Sequence, residues 1–381
     1  MEFEFTPDQR ALAKRVREFA AEAVAPYREQ NDADGAYRPG LLAELAAEGL
    51  FALMIPPEHG GAGLDAVSAG VALEELAAAD LSVCYPVLNA ALVGRVLAAN
   101  GTPGQLARWL PPIAKGEAIV SLCLTEPGHG MDAAAIETRA EQDGDGWRVT
   151  GAKTSIMLAA YATHGLVFAR TGEPGAHGIS AFYTALDDAA VSRERHADLG
   201  CRSGGRGGLV FDGLPAGADD VVGAPGRGFV EVMRGFDVSR ALIALMAIAV
   251  GQAAVDEAMA HARTREAFGK PIGRFQSVSF PLVECATLLH AARLVAYEAL
   301  WRADNGLDPR VPANMTKWWA PKVAMEAVHQ ALLTFGQLGY SEDGPVAQRL
   351  RDVIGLQLAD GTAAATKLVV ARQLLGRESA P

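Results

Sequence analysis

The chain of 381 residues has few cysteines and no long apolar run. Its four cysteines lie far apart, without a CxxC spacing or a neighbouring histidine cluster, which argues against a disulfide framework and a zinc site. The longest apolar run, residues 241–250, has ten residues, whereas a membrane-spanning helix needs about 20. The sequence therefore predicts no metal site and no membrane span.

Basic residues are in the minority, with 34 Lys and Arg against 45 Asp and Glu, and the formal net charge is −11. Nucleic-acid binding depends on basic side chains that neutralise phosphates, so no nucleic-acid partner is expected. The N-terminal segment MEFEFTPDQR is acidic and has no basic region followed by an apolar core. It does not resemble a secretory signal, and a cytoplasmic location is expected.

The spacing of the apolar residues changes twice along the chain. Residues 1–115 show mostly helical spacing, residues 116–223 show short β-prone runs between turn signals, and residues 224–381 return to long helical periods. The last region holds four long amphipathic segments, which is typical of a helix bundle. The pattern predicts an α+β, mainly α fold with an N-terminal helical domain, a middle β domain and a C-terminal four-helix bundle.

Two glycine-rich or basic segments are candidates for ligand binding. In LTEPGHGMD the glycines Gly128 and Gly130 would let backbone amides approach a ligand, although an ordinary surface turn explains them as well. Neither GxGxxG nor GxxxxGK[ST] occurs, so the Rossmann and P-loop fingerprints are absent. In HARTREAFGKPIGRFQ four basic residues form either a diphosphate clamp or a complement to a helix dipole.

A single acid, Asp360, stands between an apolar run and a helical segment in LQLADGTAAATK. Either Asp360 or Thr362 could cap that helix, because both side chains accept hydrogen bonds from free backbone amides. The alternative is a catalytic carboxylate. The local sequence favours the cap.

The order and spacing of several motifs resemble those of the acyl-CoA dehydrogenases over essentially the whole chain. PPEHGGAGLD is similar to an N-terminal glycine motif of that family, LTEPGHGMD to its flavin-contacting strand end, and REAFGKPIGRFQ to its cofactor-clamping segment. GYSEDGPVAQRLRDVIGLQLADGT resembles its C-terminal signature, in which an acid precedes Gly-Thr. This resemblance implies a middle β-barrel or sandwich domain, and it makes Asp360 the base that removes the α-proton of an acyl thioester.

The resemblance also implies FAD as the cofactor, which accepts a hydride from the β-carbon of the substrate. The family polarises the thioester carbonyl with the backbone N–H of the acid and a flavin ribityl hydroxyl. Among the implied cofactor residues, Thr362 would contact the FAD diphosphate. Three others, Arg265, Phe268 and Gln276, would reach FAD from a neighbouring subunit. The other implied cofactor residues are Leu124, Thr125, Gly130, Met131, Ser155, Met157 and Gly336. The implied substrate-binding residues are Asp237, Arg240 and Gly361.

Several positions depart from the family pattern. KTSIM replaces the usual KxWIT, with Ser155 and Met157 at flavin positions, and Met131 stands where a serine is common. Asp360 stands where many members have glutamate, which shortens the reach of the base by one methylene. This aspartate, with KTSI, KWWAPK and GLQxxDGT, resembles the cyclohexanecarboxyl-CoA dehydrogenase group, whose substrates carry a ring at the α-carbon.

The resemblance implies a homo-oligomer, a tetramer or a dimer, that passes electrons to an electron-transfer flavoprotein or another acceptor. The substrate is an acyl-CoA or an acyl group on a carrier protein, with an α-branched or cyclic acyl group. The altered flavin positions leave two further alternatives open: a flavin-free thioester isomerase or cyclase that uses Asp360, and a thioester-binding protein without catalysis.

Overall fold

The computed structural model describes residues 4–380, with Glu231 and Arg234 described by their backbone alone. The prediction that no secretory signal is present rests partly on residues 1–3, which lie outside the described residues.

Six helices form the N-terminal region, and threonine caps fix where two of them begin. Thr6 and Thr102 each accept a hydrogen bond from the N–H three residues later, where a glutamine side chain bonds back to the threonine N–H. A proline follows each threonine at the first helical position, where the missing N–H has no helical partner to lose. The helices are α1 (Pro7–Phe19), α2 (Arg28–Asp34), α3 (Leu41–Ala47), α4 (Ala66–Ala79), α5 (Cys84–Asn100) and α6 (Pro103–Ala114).

Eight strands in the middle of the chain pair into one sheet. They are β1 (Val120–Cys123), β2 (Arg139–Asp143), β3 (Gly146–Ile156), β4 (His164–Arg170), β5 (Ile179–Ala185), β6 (Val191–Arg195), β7 (Gly207–Ala216) and β8 (Val221–Val222). Their order is β6-β7-β3-β2-β4-β5-β8, and β1 pairs in parallel with β4. The register of β3 against β7 shifts between Lys153 and Ile156, where Ser155 has a left-handed φ of 58°. This irregularity takes Ser155 out of the ladder at the end of β3.

After the sheet the chain is helical again. The helices are α7 (Gly228–Thr264), α8 (Gln276–Asp304), α9 (Arg310–Phe335), α10 (Gln337–Tyr340), α11 (Ala347–Gly355) and α12 (Ala363–Leu375), and a small hairpin, β9 (Glu266–Ala267) with β10 (Lys270–Pro271), joins α7 to α8. Helices α7 and α9 run side by side in the same direction: Asn314 contacts Asp237 near their starts, and the rings of His261 and Phe335 lie 4.8 Å apart near their ends. The predicted mainly α fold, with helical, β and helix-bundle regions in that order, is confirmed.

The run at residues 241–250, whose ten residues predicted no membrane span, lies inside the 37-residue helix α7, so that prediction used too short a stretch. Small and weakly polar residues on both sides extend the apolar stretch beyond ten residues. Among the described residues, three helical segments are long and apolar enough to cross a membrane: Leu81–Asn100, Gly228–Thr264 and Gln276–Asp304. The most apolar windows of the first two are 89% and 83% buried within the protein, whereas that of the third is 17% buried.

Two buried carboxyl groups lie where the N-terminal, middle and C-terminal regions meet. Asp80 accepts a hydrogen bond from the Ser82 N–H at 2.9 Å, and Asp352 accepts one from the Cys201 N–H at 2.5 Å. Burial, together with the charge of Asp352, raises the pKa of Asp80 to about 7. Burial likewise raises the pKa of Asp352 to about 6. Both acids therefore hold protons more tightly in the folded protein than in the unfolded chain, where the pKa is about 3.9.

These raised pKa values predict that the protein loses stability as the pH rises. The contribution is fully present below the unfolded pKa and disappears as the pH passes through about 6 to 7. Asp80→Asn, which stays neutral, should therefore reduce the fall in unfolding free energy between pH 5 and 8 by about 2 kcal/mol. Denaturant unfolding across that range measures the effect, with the exposed Asp145→Asn as the control. Parallel profiles for wild type and Asp80→Asn would contradict the assignment.

Candidate active site

Asp360 lies in the short connection between α11 and α12 and has an unusual backbone conformation. Its φ is 51°, in the left-handed region, and Gly361 follows with a φ of 106°. Thr362 then turns to extended backbone, and its Oγ1 accepts a hydrogen bond from the Ala365 N–H at 3.5 Å. The cap of α12 is therefore Thr362, and the side chain of Asp360 is not used as a cap.

The Asp360 carboxylate points toward α7. The Ser239 hydroxyl donates a hydrogen bond of 2.5 Å to Asp360 Oδ2, and Arg240 Nε donates one of 3.2 Å to the Asp360 carbonyl oxygen. The backbone N–H of Asp360 donates no hydrogen bond within the described part of the chain. Asp360 is half-buried, so the site combines a fixed carboxylate with a free backbone donor.

Asp237 and Arg240, both predicted from FDVSRA, meet beside Asp360. Arg240 Nη1 donates to Asp237 Oδ1 at 3.1 Å, Asn314 Nδ2 donates to the same oxygen at 3.3 Å, and Arg310 Nε lies 3.7 Å from Asp237 Oδ2. Burial raises the pKa of Asp237, and the charges of Arg240 and Arg310 oppose that shift. Gly361 also lies here, because a Cβ built on it would be 3.9 Å from Arg240 Nη2. The structure thus brings Asp237, Arg240, Asp360 and Gly361 together.

The sequence reasoning missed Lys317, a buried lysine in KWWAPK. Its Nζ donates to the carbonyl oxygen of Leu356 at 2.9 Å and to that of Gly361 at 3.2 Å. Burial lowers the pKa of Lys317 to about 8, against the attraction of Asp360. The lysine therefore joins α9 to both sides of the turn that carries Asp360. The only sequence signal was a charge next to two tryptophans inside an apolar helix.

Lys317→Met should loosen this turn and lower the stability of the protein. Two buried carbonyl groups lose their donor, which costs about 1–3 kcal/mol each, partly offset by removal of a buried charge. We expect a net loss of about 2 kcal/mol in denaturant unfolding. Lys322→Met, on the same helix, is the control, because Lys322 is exposed and its ion pair is with Glu326 at 3.8 Å. Equal losses of stability in the two variants would show that the hydrogen bonds of Lys317 to the turn do not stabilise the protein.

Four of the predicted cofactor residues lie where β1 ends and β3 leaves the ladder. The Thr154 N–H donates to the Thr125 carbonyl oxygen at 2.9 Å, which joins the two segments. Leu124 is buried, Ser155 is exposed, and Met157 is half-buried with its carbonyl oxygen bonded to Ser121. Thr125 and Ser155 are thus placed on neighbouring backbone segments, where both can face a bound flavin.

Two more of these residues connect the strand end to α12. Met131 is exposed, and the Thr362 hydroxyl lies 3.5 Å from its sulfur. Between this contact and β1 the backbone is open, since a Cβ at Gly128 or Gly130 would meet nothing within 4 Å. An open glycine backbone with hydroxyl groups at both ends fits a flavin lying along this edge. The residues present are therefore compatible with FAD.

The remaining cofactor residues lie far from Asp360 within one protomer. Arg265 follows Arg240 by 25 positions along α7, which corresponds to about 37 Å of helix. Phe268, in the exposed hairpin after α7, is 95% exposed, Gln276 begins α8, and Gly336 follows the end of α9. The helices α7 and α9 end side by side, where His261 contacts Phe335, so Arg265 and Gly336 lie at the same end of the bundle. One protomer therefore carries two separate groups of predicted cofactor residues.

A narrow pocket of about 10 Å³ adjoins Ser239 between α5 and α7. Ser239 both lines this pocket and bonds to Asp360, so one residue separates the pocket from the carboxylate. A wider cleft of about 730 Å³ lies in the middle region, and its described lining does not include Asp360. The described residues of the narrow pocket are Met54, Ala91, Leu92, Arg95, Gly235, Val238, Ser239 and Leu242.

Three family models match the chain in succession. They are the N-terminal domain of acyl-CoA dehydrogenase over residues 6–117, the middle domain over residues 121–214 and the C-terminal domain over residues 226–375. Among curated proteins, the chain is 31% identical to a 3-(aryl)acrylate reductase from Clostridium sporogenes, over 97% of this chain and 99% of that one. It is 34% identical to the mitochondrial short-chain specific acyl-CoA dehydrogenase of Bos taurus, over 96% and 89%.

Solved structures give the same result. Butyryl-CoA dehydrogenase from Megasphaera elsdenii superposes with a TM-score of 0.96 at 31% identity, covering 98% of this chain and 100% of that one. A glutaryl-coenzyme A dehydrogenase in complex with glutaryl-CoA superposes with a TM-score of 0.95 at 27% identity, covering 100% and 98%.

Proposed function

Because the chain belongs to the acyl-CoA dehydrogenase family, whose members are FAD-dependent oxidoreductases, we propose that Asp360 is the base in α,β-dehydrogenation of an acyl thioester. The observation that carries the proposal is the position of its carboxylate. Ser239 holds it beside a pocket, and Thr362 rather than Asp360 caps the next helix. A carboxylate held in this way is available to accept a proton from a bound substrate.

The proposed step breaks two C–H bonds and forms one C=C bond. The α-proton passes to the Asp360 carboxylate, while the β-hydrogen leaves with both electrons of its bond. FAD, when bound, accepts that hydride. The free N–H of Asp360 is available to donate to the thioester carbonyl oxygen, where negative charge develops as the α-proton leaves.

The residues around Asp360 keep its carboxylate in place. Ser239 orients the side chain, Arg240 binds the backbone carbonyl, and Lys317 fastens both sides of the turn. Proton transfer is sensitive to misplacement of the base by about 1 Å, so such anchoring favours catalysis. The shorter aspartate is expected to require a closer approach of the α-carbon than a glutamate would.

For the substrate we propose an acyl group that is α-branched or cyclic, carried by CoA. The support is the aspartate itself and the resemblance of its surrounding motifs to the cyclohexanecarboxyl-CoA dehydrogenase group. An acyl group on a carrier protein is the alternative, and the two carriers are compared in the experiment below.

We further propose that the protein works as a homo-oligomer, a dimer or tetramer, in which FAD lies between protomers. About 37 Å of helix separates Arg265 from Arg240, so a second copy has to supply the distant cofactor residues. An exposed apolar stripe on α8 gives that copy a surface to pack on. Its residues Phe280, Val283, Leu294 and Trp301 share one side of the helix at helical spacing.

An electron-transfer flavoprotein is the proposed electron acceptor. The support is a structure from work on the electron-transferring flavoprotein of Acidaminococcus fermentans, in which one chain superposes on this protein with a TM-score of 0.96 at 31% identity. A cytoplasmic location stays a prediction.

The proposed function is tested by the visible spectrum of the purified protein and its response to thioesters. We expect a yellow protein with one FAD per chain, whose flavin absorbance bleaches anaerobically with ring-bearing and α-branched acyl-CoAs. Straight-chain acyl-CoAs and acyl carrier-protein thioesters complete the panel. A colourless protein that fails to take up added FAD would favour the isomerase or cyclase alternative. A yellow protein that no thioester bleaches would contradict the proposed reaction.

A further inference from the structure

One basic side chain in the pocket beside Ser239 has no hydrogen-bond or ion-pair partner among the described side chains. Arg95 lies on α5, is half-buried, and makes no hydrogen bond or ion pair within the described part of the chain. It is the only charged residue among the described residues that line the pocket. A half-buried guanidinium group without a partner is unfavourable, because it loses water without gaining hydrogen bonds.

Asp304, an acid whose pKa the charge of Arg95 influences, already accepts other hydrogen bonds. Asp304 Oδ1 accepts from the Ala66 N–H at 2.8 Å, and Asp304 Oδ2 accepts from the Val67 N–H at 3.0 Å. Burial raises the pKa of Asp304, and the charge of Arg95 is among the influences that lower it. Both oxygens of Asp304 thus hold the start of α4, and Arg95 keeps its hydrogen-bond donors free.

The packing of α5 against α7 puts Arg95 close to the reacting end of the pocket. A Cβ built on Gly235 of α7 would lie 3.1 Å from Val96 and 3.5 Å from Leu92, both on α5. Gly235 therefore faces the turn of α5 that carries Arg95. Ser239 follows Gly235 by four positions, so about one helical turn, roughly 6 Å along α7, separates the level of Arg95 from the residue that holds Asp360.

We propose that Arg95 binds a carboxylate at the far end of a short acyl group, so that the site accepts CoA monothioesters of short dicarboxylic acids. The inference rests on the proposed function, because it assumes that the acyl group enters the pocket beside Asp360. A guanidinium group binds a carboxylate through two parallel hydrogen bonds, and a substrate ending in a methyl group leaves the arginine unpaired. A branch or ring at the α-carbon lies next to the thioester, at the opposite end of the acyl group from this carboxylate, so the two features are compatible.

The test compares acidic and neutral acyl-CoAs of matched length. Wild type should have a higher kcat/KM for succinyl- and glutaryl-CoA than for butyryl- and valeryl-CoA. Arg95→Met should lower kcat/KM for the acidic pair at least about tenfold more than for the neutral pair, and Arg95→Lys should recover part of that difference. Arg15→Met, an exposed arginine of the N-terminal region, is the control.

A binding measurement keeps the inference separate from the proposed reaction. In Asp360→Asn protein, Arg95→Met should weaken glutaryl-CoA binding at least about tenfold and butyryl-CoA binding much less. FAD content and thermal unfolding of each variant check that it is folded. Equal effects on both ligands, or a wild-type preference for neutral thioesters, would overturn the role of Arg95 and leave only packing by its aliphatic stem. Loss of turnover with every thioester would contradict the proposed function, whereas the binding comparison would still decide the role of Arg95.

Discussion

Asp360→Asn is expected to lower the rate of flavin reduction by an acyl thioester roughly 10²–10⁴-fold. Asparagine has nearly the same size and can still accept the hydrogen bond from Ser239, so the turn and the fold should persist. Its amide accepts a proton too weakly to act as the base. Thermal unfolding and FAD content should match wild type, because Thr362 caps α12. Stopped-flow anaerobic reduction measures the rate.

Asp360→Glu serves as a ruler for the distance between base and substrate. It restores the length that many family members have, so activity on a ring-bearing acyl-CoA should fall and relative activity on straight-chain acyl-CoAs should rise. If both substrate types respond alike, the shorter side chain does not set the substrate preference.

Arg265→Ala is expected to release FAD while leaving the Asp360 site intact. Loss of a charged donor to a diphosphate should weaken cofactor binding about 10–100-fold, since such hydrogen bonds contribute about 1.5–3 kcal/mol. The measurement is the FAD content after dialysis, together with the oligomeric state by light scattering. Arg302→Ala, a half-buried arginine that pairs with Glu298 near the other end of α8, is the control and should keep FAD. A strictly monomeric variant that retains FAD would contradict a cofactor shared between protomers.

The sequence predicted the order of the three regions because periodicity and turn signals are local properties. It also identified Asp237, Arg240, Asp360 and Gly361, which the structure brings together through hydrogen bonds between α7 and the turn before α12. The choice between cap and base at Asp360 could not be made locally. Asp360 and Thr362 were both plausible caps for α12. The backbone conformation of the structure assigns the cap to Thr362.

Other parts of the site depend on contacts that no local pattern encodes. Ser239 lies between two predicted residues in FDVSRA, but its bond to Asp360 joins positions 121 residues apart. Lys317 and Arg95 are charges with uncharged neighbours on both sides in the sequence, and sequence alone does not say whether such a charge reaches solvent, a backbone carbonyl or a pocket. The membrane argument failed for a related reason, because a ten-residue run gave no measure of the 37-residue helix around it.

The most direct test of Asp360 as the base is anaerobic flavin reduction with a substrate deuterated at the α-carbon. Wild type should reduce its flavin more slowly with the deuterated substrate than with the protiated one, because the α C–H bond breaks in that step. Asp360→Asn should show almost no reduction with either substrate while retaining its FAD. Reduction at the wild-type rate in Asp360→Asn would contradict the assignment of Asp360 as the base.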